Sequence, residues 1–153
     1  MNTPESNTTR LLVRRLRPEA VLPKRATAGS AGFDLSACIS EPLCLLPGER
    51  ALLPTGIAAA IPQGAVGMIY ARGSLGVKHG IALSNGVGVI DSDYRGEIHV
   101  GLCNFSQEAY TIQPGERIAQ LVLQPVLLPE LEETELLDET ARGAGGFGST
   151  GRQ

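Results

Sequence analysis

The sequence predicts an all-β domain of many short antiparallel strands, and three observations lead there. Nineteen glycines and ten prolines punctuate the chain too often for long helices. Apolar and polar residues alternate at a period of two, most clearly in Glu97-Ile98-His99-Val100-Gly101-Leu102-Cys103. Helical periodicity is weak throughout. Roughly ten strands at this spacing fit a barrel or a double-sheet jelly roll.

The chain of 153 residues suits one domain with a core of its own. Hydrophobic residues make up 42 % but aromatics only 4 %, so that core must be Leu, Val, Ile and Ala. Residues 10–16 (RLLVRRL) read as a first strand at an edge, and 23–30 as a polar, basic loop. Extended runs follow at 33–37, 51–53, 57–61 and 66–71, then at 97–103 and 118–124. Two turn phrases echo each other, Leu46-Pro47-Gly48-Glu49-Arg50 and Gln113-Pro114-Gly115-Glu116-Arg117. In each, Pro presets φ and Gly takes the positive-φ place. Residues 127–139, acidic and leucine-bearing, read as one short helix or an extended arm.

Net charge is −3, and the only basic run is Arg14-Arg15-Leu16-Arg17. Nucleic-acid binding is therefore not expected. Nothing approaches the roughly 18 apolar residues of a membrane span. Residues 1–9 lack an apolar signal segment, so a cytoplasmic location is the default expectation. The odd set Cys38, Cys44 and Cys103, without a CxxC pair, reads as buried thiols rather than disulfides or a zinc site. His79 reads as exposed and His99 as lying on a strand face.

Three segments carry chemistry. In Arg72-Gly73-Ser74-Leu75-Gly76 two glycines let backbone N–H groups approach an anion, although a plain turn accounts for it as well. The Gly-Lys-Ser/Thr of a Walker loop is missing. Around Asp91, glycine turns flank a carboxylate that can orient and deprotonate a water. Asp93 falls on the same side as Asp91 if the strand continues. Tyr94 bounds a sugar pocket or is an aromatic at the edge of the core. In residues 142–151 five glycines surround Arg142, Phe147, Ser149 and Thr150. Such a tail builds no core. Its ring can stack on a base, worth roughly 1–3 kcal/mol, and its guanidinium can fork onto phosphate.

Taken together, these segments resemble the five ordered motifs of the trimeric deoxyuridine triphosphatase (dUTPase) family. The counterparts are Ala31-Gly32-Phe33-Asp34-Leu35, Ala71-Arg72-Gly73-Ser74-Leu75-Gly76, Gly88-Val89-Ile90-Asp91-Ser92-Asp93-Tyr94-Arg95-Gly96, Gly115-Glu116-Arg117-Ile118-Ala119-Gln120-Leu121 and residues 142–151. The resemblance implies a distorted jelly-roll β-barrel over residues 10–128 and a flexible arm over 129–153 that closes an active site. It implies a homotrimer with shared sites, and dUTP with Mg²⁺ as substrate, cleaved to dUMP and pyrophosphate. Asp91 would orient the attacking water, with Asp34 in support. Tyr94 would lie under the deoxyribose, Asn85 and the backbone near Gly88 would face uracil, and Phe147 with Gly148 would cover the base. Arg72, Ser74, Gln120 and Arg142 would hold phosphates, with Ser149 and Thr150 at the outer end. No direct protein ligand to the metal is implied; phosphates and water carry the ion.

The second motif departs from the family's Pro-Arg-Ser-Gly. Here Gly73 stands where a phosphate-contacting serine is expected, so Ser74 or the Gly73 N–H must take that contact. Two rival readings share the fold class. One is a deoxycytidine triphosphate deaminase, whose Arg-Ser-Ser loop is close to Arg72-Gly73-Ser74. The other is a non-catalytic jelly-roll binding module.

Overall fold

The computed structural model describes residues 10–151; the signal-segment reading of residues 1–9 and the last two residues of the expected arm lie outside them. In chain order the elements are β1 (Leu12–Arg15), β2 (Gly32–Ser36), β3 (Leu43–Leu45), β4 (Arg50–Pro54), β5 (Ile57–Ala60) and β6 (Ala65–Ala71). They continue with α1 (Gly73–His79), β7 (Ile81–Leu83), β8 (Gly88–Ile90), β9 (His99–Asn104), β10 (Tyr110–Ile112) and β11 (Arg117–Pro125). Every ladder is antiparallel. The described strands form four sheets, ordered β2-β11-β6-β8, β4-β9-β7, β1-β5 and β10-β3.

One aliphatic core joins the sheets, as the shortage of aromatics requires. Leu35, Leu53, Ile69, Leu102, Ile112 and Leu121 are fully buried in it. In β9 and the residue before it, Ile98, Val100 and Leu102 turn inward, as the alternation predicts. Removing one such side chain, as in Leu102→Ala, costs about 2–5 kcal/mol. Buried Asn104 donates to the carbonyls of Leu45 and Glu108 at 2.9 and 2.7 Å and accepts from the Ser106 N–H and hydroxyl. Its amide therefore enters the core with its hydrogen bonds intact.

The two echoed turns share one hydrogen-bond scheme. Gly48 and Gly115 have φ of 80° and 76°. Glu49 and Glu116 each fold a carboxylate back onto the N–H three residues earlier, at 2.9 and 2.8 Å.

Two expectations need correction, and two open readings are resolved. The segment after Arg72 is a helix, α1, rather than a turn. Its glycines hide it from propensity; burial of Leu75 and a left-handed C-cap at Gly80 (φ 67°) hold it in place. A Cβ on Gly80 would stand 2.9 Å from the Ser106 backbone nitrogen, so the close approach requires glycine. Cys38 and Cys103 are buried, but Cys44 is exposed because strand alternation turns it outward between Leu43 and Leu45. The strand before Asp91 stops at Ile90, so Asp91 and Asp93 belong to a turn rather than to one strand face. Of the two alternatives for residues 127–139, a short helix or an extended arm, the chain takes the extended one, with Leu127 and Leu131 about nine-tenths exposed. With no surface packed against those leucines, the acidic segment has nothing to stabilise a helix.

Candidate active site

The elements place the singled-out residues in three groups. The first lies where β2, β6 and β11 meet. Gln120 of β11 sits between Asp34 of β2 and Tyr70 of β6 in the ladders. Its Nε2 donates to the Ala71 carbonyl at 3.0 Å. Gly32, at the start of β2, lies close under this side chain: a Cβ there would stand 3.1 Å from the Gln120 Cβ. Arg72 follows β6 and is the N-cap of α1. Its Nε lies 3.3 Å from Asp34 Oδ1, and its Nη1 donates to the Arg117 carbonyl at 3.2 Å. Arg117 Nη1 donates to Asp34 Oδ2 at 3.0 Å. Asp34 thus bridges two guanidiniums with one carboxylate.

Gly73 is exposed beside this group, and a Cβ there would meet nothing within 4 Å. Ser74 is exposed one residue further along α1. The cleft holding Ser30, Asp34, Arg72, Gly73 and Gln120 measures about 200 Å³. Pockets that enclose a small molecule run to about 300–1,000 Å³, so this cleft is smaller than such a pocket.

Behind Arg72 stands a second polar pair. Tyr110 donates its hydroxyl to Glu116 in a short hydrogen bond. Burial, with that bond and the adjoining carboxylate, pushes the Tyr110 hydroxyl up to about 12. The His79 ring packs tilted on Tyr110 at 5.0 Å, although His79 is exposed as expected.

The second group is the connection from β7 to β8, which crosses between two sheets, and the turn after β8. Asn85 lies in the turn that Gly86 (φ 76°) closes. Gly88 passes so close to Ile69 that a Cβ would stand 2.9 Å from the isoleucine Cβ. Asp91 is exposed and accepts the Tyr94 N–H at 3.2 Å through its backbone carbonyl. Tyr94 is 42 % exposed and donates its hydroxyl to the Glu97 carbonyl at 2.8 Å.

These two groups depart from different points along β6. Ile90, just before Asp91, pairs with Gly67, whereas Arg72 follows Ala71 at the other end of β6. At about 3.3 Å per residue, roughly 13 Å of strand separates those departure points.

The third group is the arm. Its backbone hydrogen bonds are local turns, Gly143 to Thr140, Gly145 to Arg142, Ser149 to Gly146 and Gly151 to Gly148. Arg142, Ser149 and Thr150 are exposed, and Phe147 (φ 50°) is wholly so and covers nothing in its own chain. Among the described residues no three His, Cys, Asp or Glu side chains converge as a metal cage.

The sequence reading missed Arg117 as a partner of Asp34, although it lies in the second turn phrase. It also missed Arg17 and Glu97, whose pairing spans 80 positions and leaves no local signal.

A model of the dUTPase family matches residues 18–151. The chain belongs to the dUTPase family. It is 52 % identical over 145 residues to a deoxyuridine 5'-triphosphate nucleotidohydrolase of Alcanivorax borkumensis, covering 94 % of this chain and 97 % of that protein. It is also 52 % identical over 143 residues to the enzyme of the same description from Hahella chejuensis, covering 93 % and 94 %. Among solved structures, the dUTPase of Staphylococcus bacteriophage 80alpha with dUpNHpp superposes with a TM-score of 0.86 at 30 % identity, covering 95 % of this chain and 100 % of that one. A mutant dUTPase from phage phi11 of S. aureus, described for its coordination of a structural Mg(II) ion, has a TM-score of 0.77 at 27 % identity over 86 % of this chain and 100 % of its own. As a dUTPase-family fold the chain is predominantly β-sheet. None of its described helices is long and apolar enough to cross a membrane.

Proposed function

We infer that this chain hydrolyses dUTP to dUMP and pyrophosphate, by in-line attack of water on the α-phosphorus. The observation that carries the inference is the dUTPase family match over residues 18–151, which includes all three groups. The barrier is electrostatic, because a nucleophile must approach a polyanion; the site must neutralise charge and fix geometry.

Asp91 orients the water and takes its proton. Its exposed carboxylate, on a turn tied to Tyr94, supports this role. The Tyr94 ring lies under the deoxyribose and leaves no room for a 2′-hydroxyl. Asn85 and the backbone near Gly88 read uracil; cytosine reverses the donor and acceptor at the 4-position and leaves buried groups unpaired. Arg72 holds phosphate oxygens, and its ion pair with Asp34 and its bond to the Arg117 carbonyl support a fixed guanidinium. Ser74, Gln120 and the Gly73 N–H complete that side. Phe147 and Gly148 cover the base, while Arg142, Ser149 and Thr150 close on the phosphates and exclude bulk water.

Mg²⁺ fits as an ion carried on the triphosphate and completed by water. The donors beside the cleft are guanidiniums, an amide and a carboxylate already held by two arginines, not a cage of oxygen ligands. When bound, the ion supplies neutralisation of the phosphate charge.

Three copies forming a trimer complete the site. Two features of the single chain support this: about 13 Å of strand separates the Asp91 and Arg72 departure points, and the exposed Phe147 ring covers nothing. Residues 10–128 act as the jelly-roll barrel and 129–153 as the arm. The test is Asp91→Asn, which keeps measurable binding of a non-hydrolysable dUTP analogue by calorimetry but lowers kcat by about 10²–10⁴. Near-normal turnover removes Asp91 from its role. Release of ammonia from dCTP in place of pyrophosphate from dUTP identifies a deaminase instead.

A further inference from the structure

Glu97 lies outside the five motifs, yet its contacts reach the loop that carries Asp91 and Tyr94. Its side chain is only 17 % exposed. Arg17 Nη2 donates to both carboxylate oxygens at 2.9 and 3.0 Å, and the Gly56 N–H donates to Oε1 at 2.7 Å. Arg17 Nη1 in turn donates to the Cys38 carbonyl at 3.2 Å. Gly56 has a φ of 67°, and a Cβ on it would stand 2.6 Å from the Ala20 Cβ. Its N–H is therefore held by tight packing.

The same residue holds Tyr94 from its backbone side. The Tyr94 hydroxyl donates to the Glu97 carbonyl, and the ring crosses Gly96 so closely that a Cβ there would stand 2.7 Å from Tyr94 Cζ. His99 completes the surroundings, with Nε2 3.6 Å from Glu97 Oε2. Glu97 thus links the Tyr94 hydroxyl to Arg17 just beyond β1, to Gly56 just before β5 and, through Arg17, to the carbonyl of Cys38.

We propose that Glu97, clamped by Arg17 and Gly56, is a positioning residue that sets the height of the Tyr94 ring and so the discrimination between deoxyribose and ribose. The proposal rests on the dUTP-hydrolysing reading above. Neither Glu97 nor Arg17 touches substrate; both act through the Tyr94 hydroxyl and the turn behind it. Releasing the clamp lets the ring sink, admits a 2′-hydroxyl and shifts Asp91.

The experiment compares kcat/KM for dUTP and UTP, by pyrophosphate release, in wild type, Glu97→Gln, Arg17→Met and the double variant, with Mg²⁺. The wild type strongly prefers dUTP. Each single variant lowers that preference about tenfold or more, because misplacement by about 1 Å costs up to about a hundredfold. The double variant is no worse than either single one. Ile112→Val, a core substitution outside this network, serves as control and lowers the melting temperature without changing the preference. If Glu97→Gln does not fold, Arg17→Met reads the same contact from its other side. An unchanged dUTP-to-UTP ratio in the folded variants overturns the proposal. A wild type that cleaves neither nucleotide overturns the functional reading instead, so the two failures are told apart.

Discussion

Replacing Asp34 by Asn tests the phosphate-side geometry. The carboxylate holds the Arg72 Nε at 3.3 Å and the Arg117 Nη1 at 3.0 Å, and it is 17 % exposed. Asn keeps the volume but removes the charge and leaves one carbonyl acceptor for two guanidiniums. A hydrogen bond to a charged group is worth about 1.5–3 kcal/mol. The Arg117 half is discounted, since Arg117 is 54 % exposed and such pairs give about 0–1 kcal/mol. The Arg72 half is a largely buried ion pair at 3.3 Å without an aligned hydrogen bond, so it falls at the bottom of that range. The combined loss is therefore about 2 kcal/mol, or roughly thirtyfold in kcat/KM if it is all expressed in phosphate positioning. At about 2–4 °C per kcal/mol for a chain of this size, the melting temperature falls by at most about 4–8 °C. Steady-state pyrophosphate release and a thermal scan on the same preparation read both. A kcat/KM within twofold of wild type, in a folded protein, refutes the claim that Asp34 fixes Arg72.

The remaining predictions concern the arm, the departing motif and alkaline stability. Deleting residues 141–153 leaves the melting temperature within a few degrees of wild type, because the core ends at β11, and removes most dUTP turnover; full activity in the truncated protein shows that the arm has no part in the chemistry. Gly73→Ser folds, as a Cβ there meets open space, and raises kcat/KM about tenfold by adding one charge-assisted bond to phosphate; no gain shows that Ser74 or the Gly73 N–H already makes that contact. The Tyr110 hydroxyl, raised to about 12 in the folded state, contributes stability that is complete below pH 10 and lost as pH climbs from 10 toward 12. Tyr110→Phe therefore flattens the loss of stability across that window in urea titrations; an unchanged slope removes Tyr110 as its source.

Legibility in the sequence followed the range of the interaction. Strands with strict alternation, such as the run through Val100 and Leu102, were readable because period two is local. The Pro-Gly-Glu-Arg turns were readable because the fixed φ of proline and the positive φ of glycine belong to the residues themselves; that the N–H groups of Gly48 and Gly115 reach the carbonyls of Asn104 and Ala37 was not. Helix α1 was not, since its glycines oppose helix formation and burial of Leu75 offsets them. Nor was the Arg17–Glu97 clamp, whose partners meet only after β1, β5 and the loop beyond β8 have folded together.

By itself, the chain determined a predominantly β domain with an aliphatic core, the order of its chemical segments and a tail rich in glycine. Those properties come from composition and from neighbours along the backbone. Tertiary structure alone decided that one carboxylate, Asp34, ties Arg72 to Arg117, and that Asp91 and Arg72 leave opposite ends of the β6–β8 ladder. Register and loop closure set those relations, and neither is encoded in any short stretch of residues.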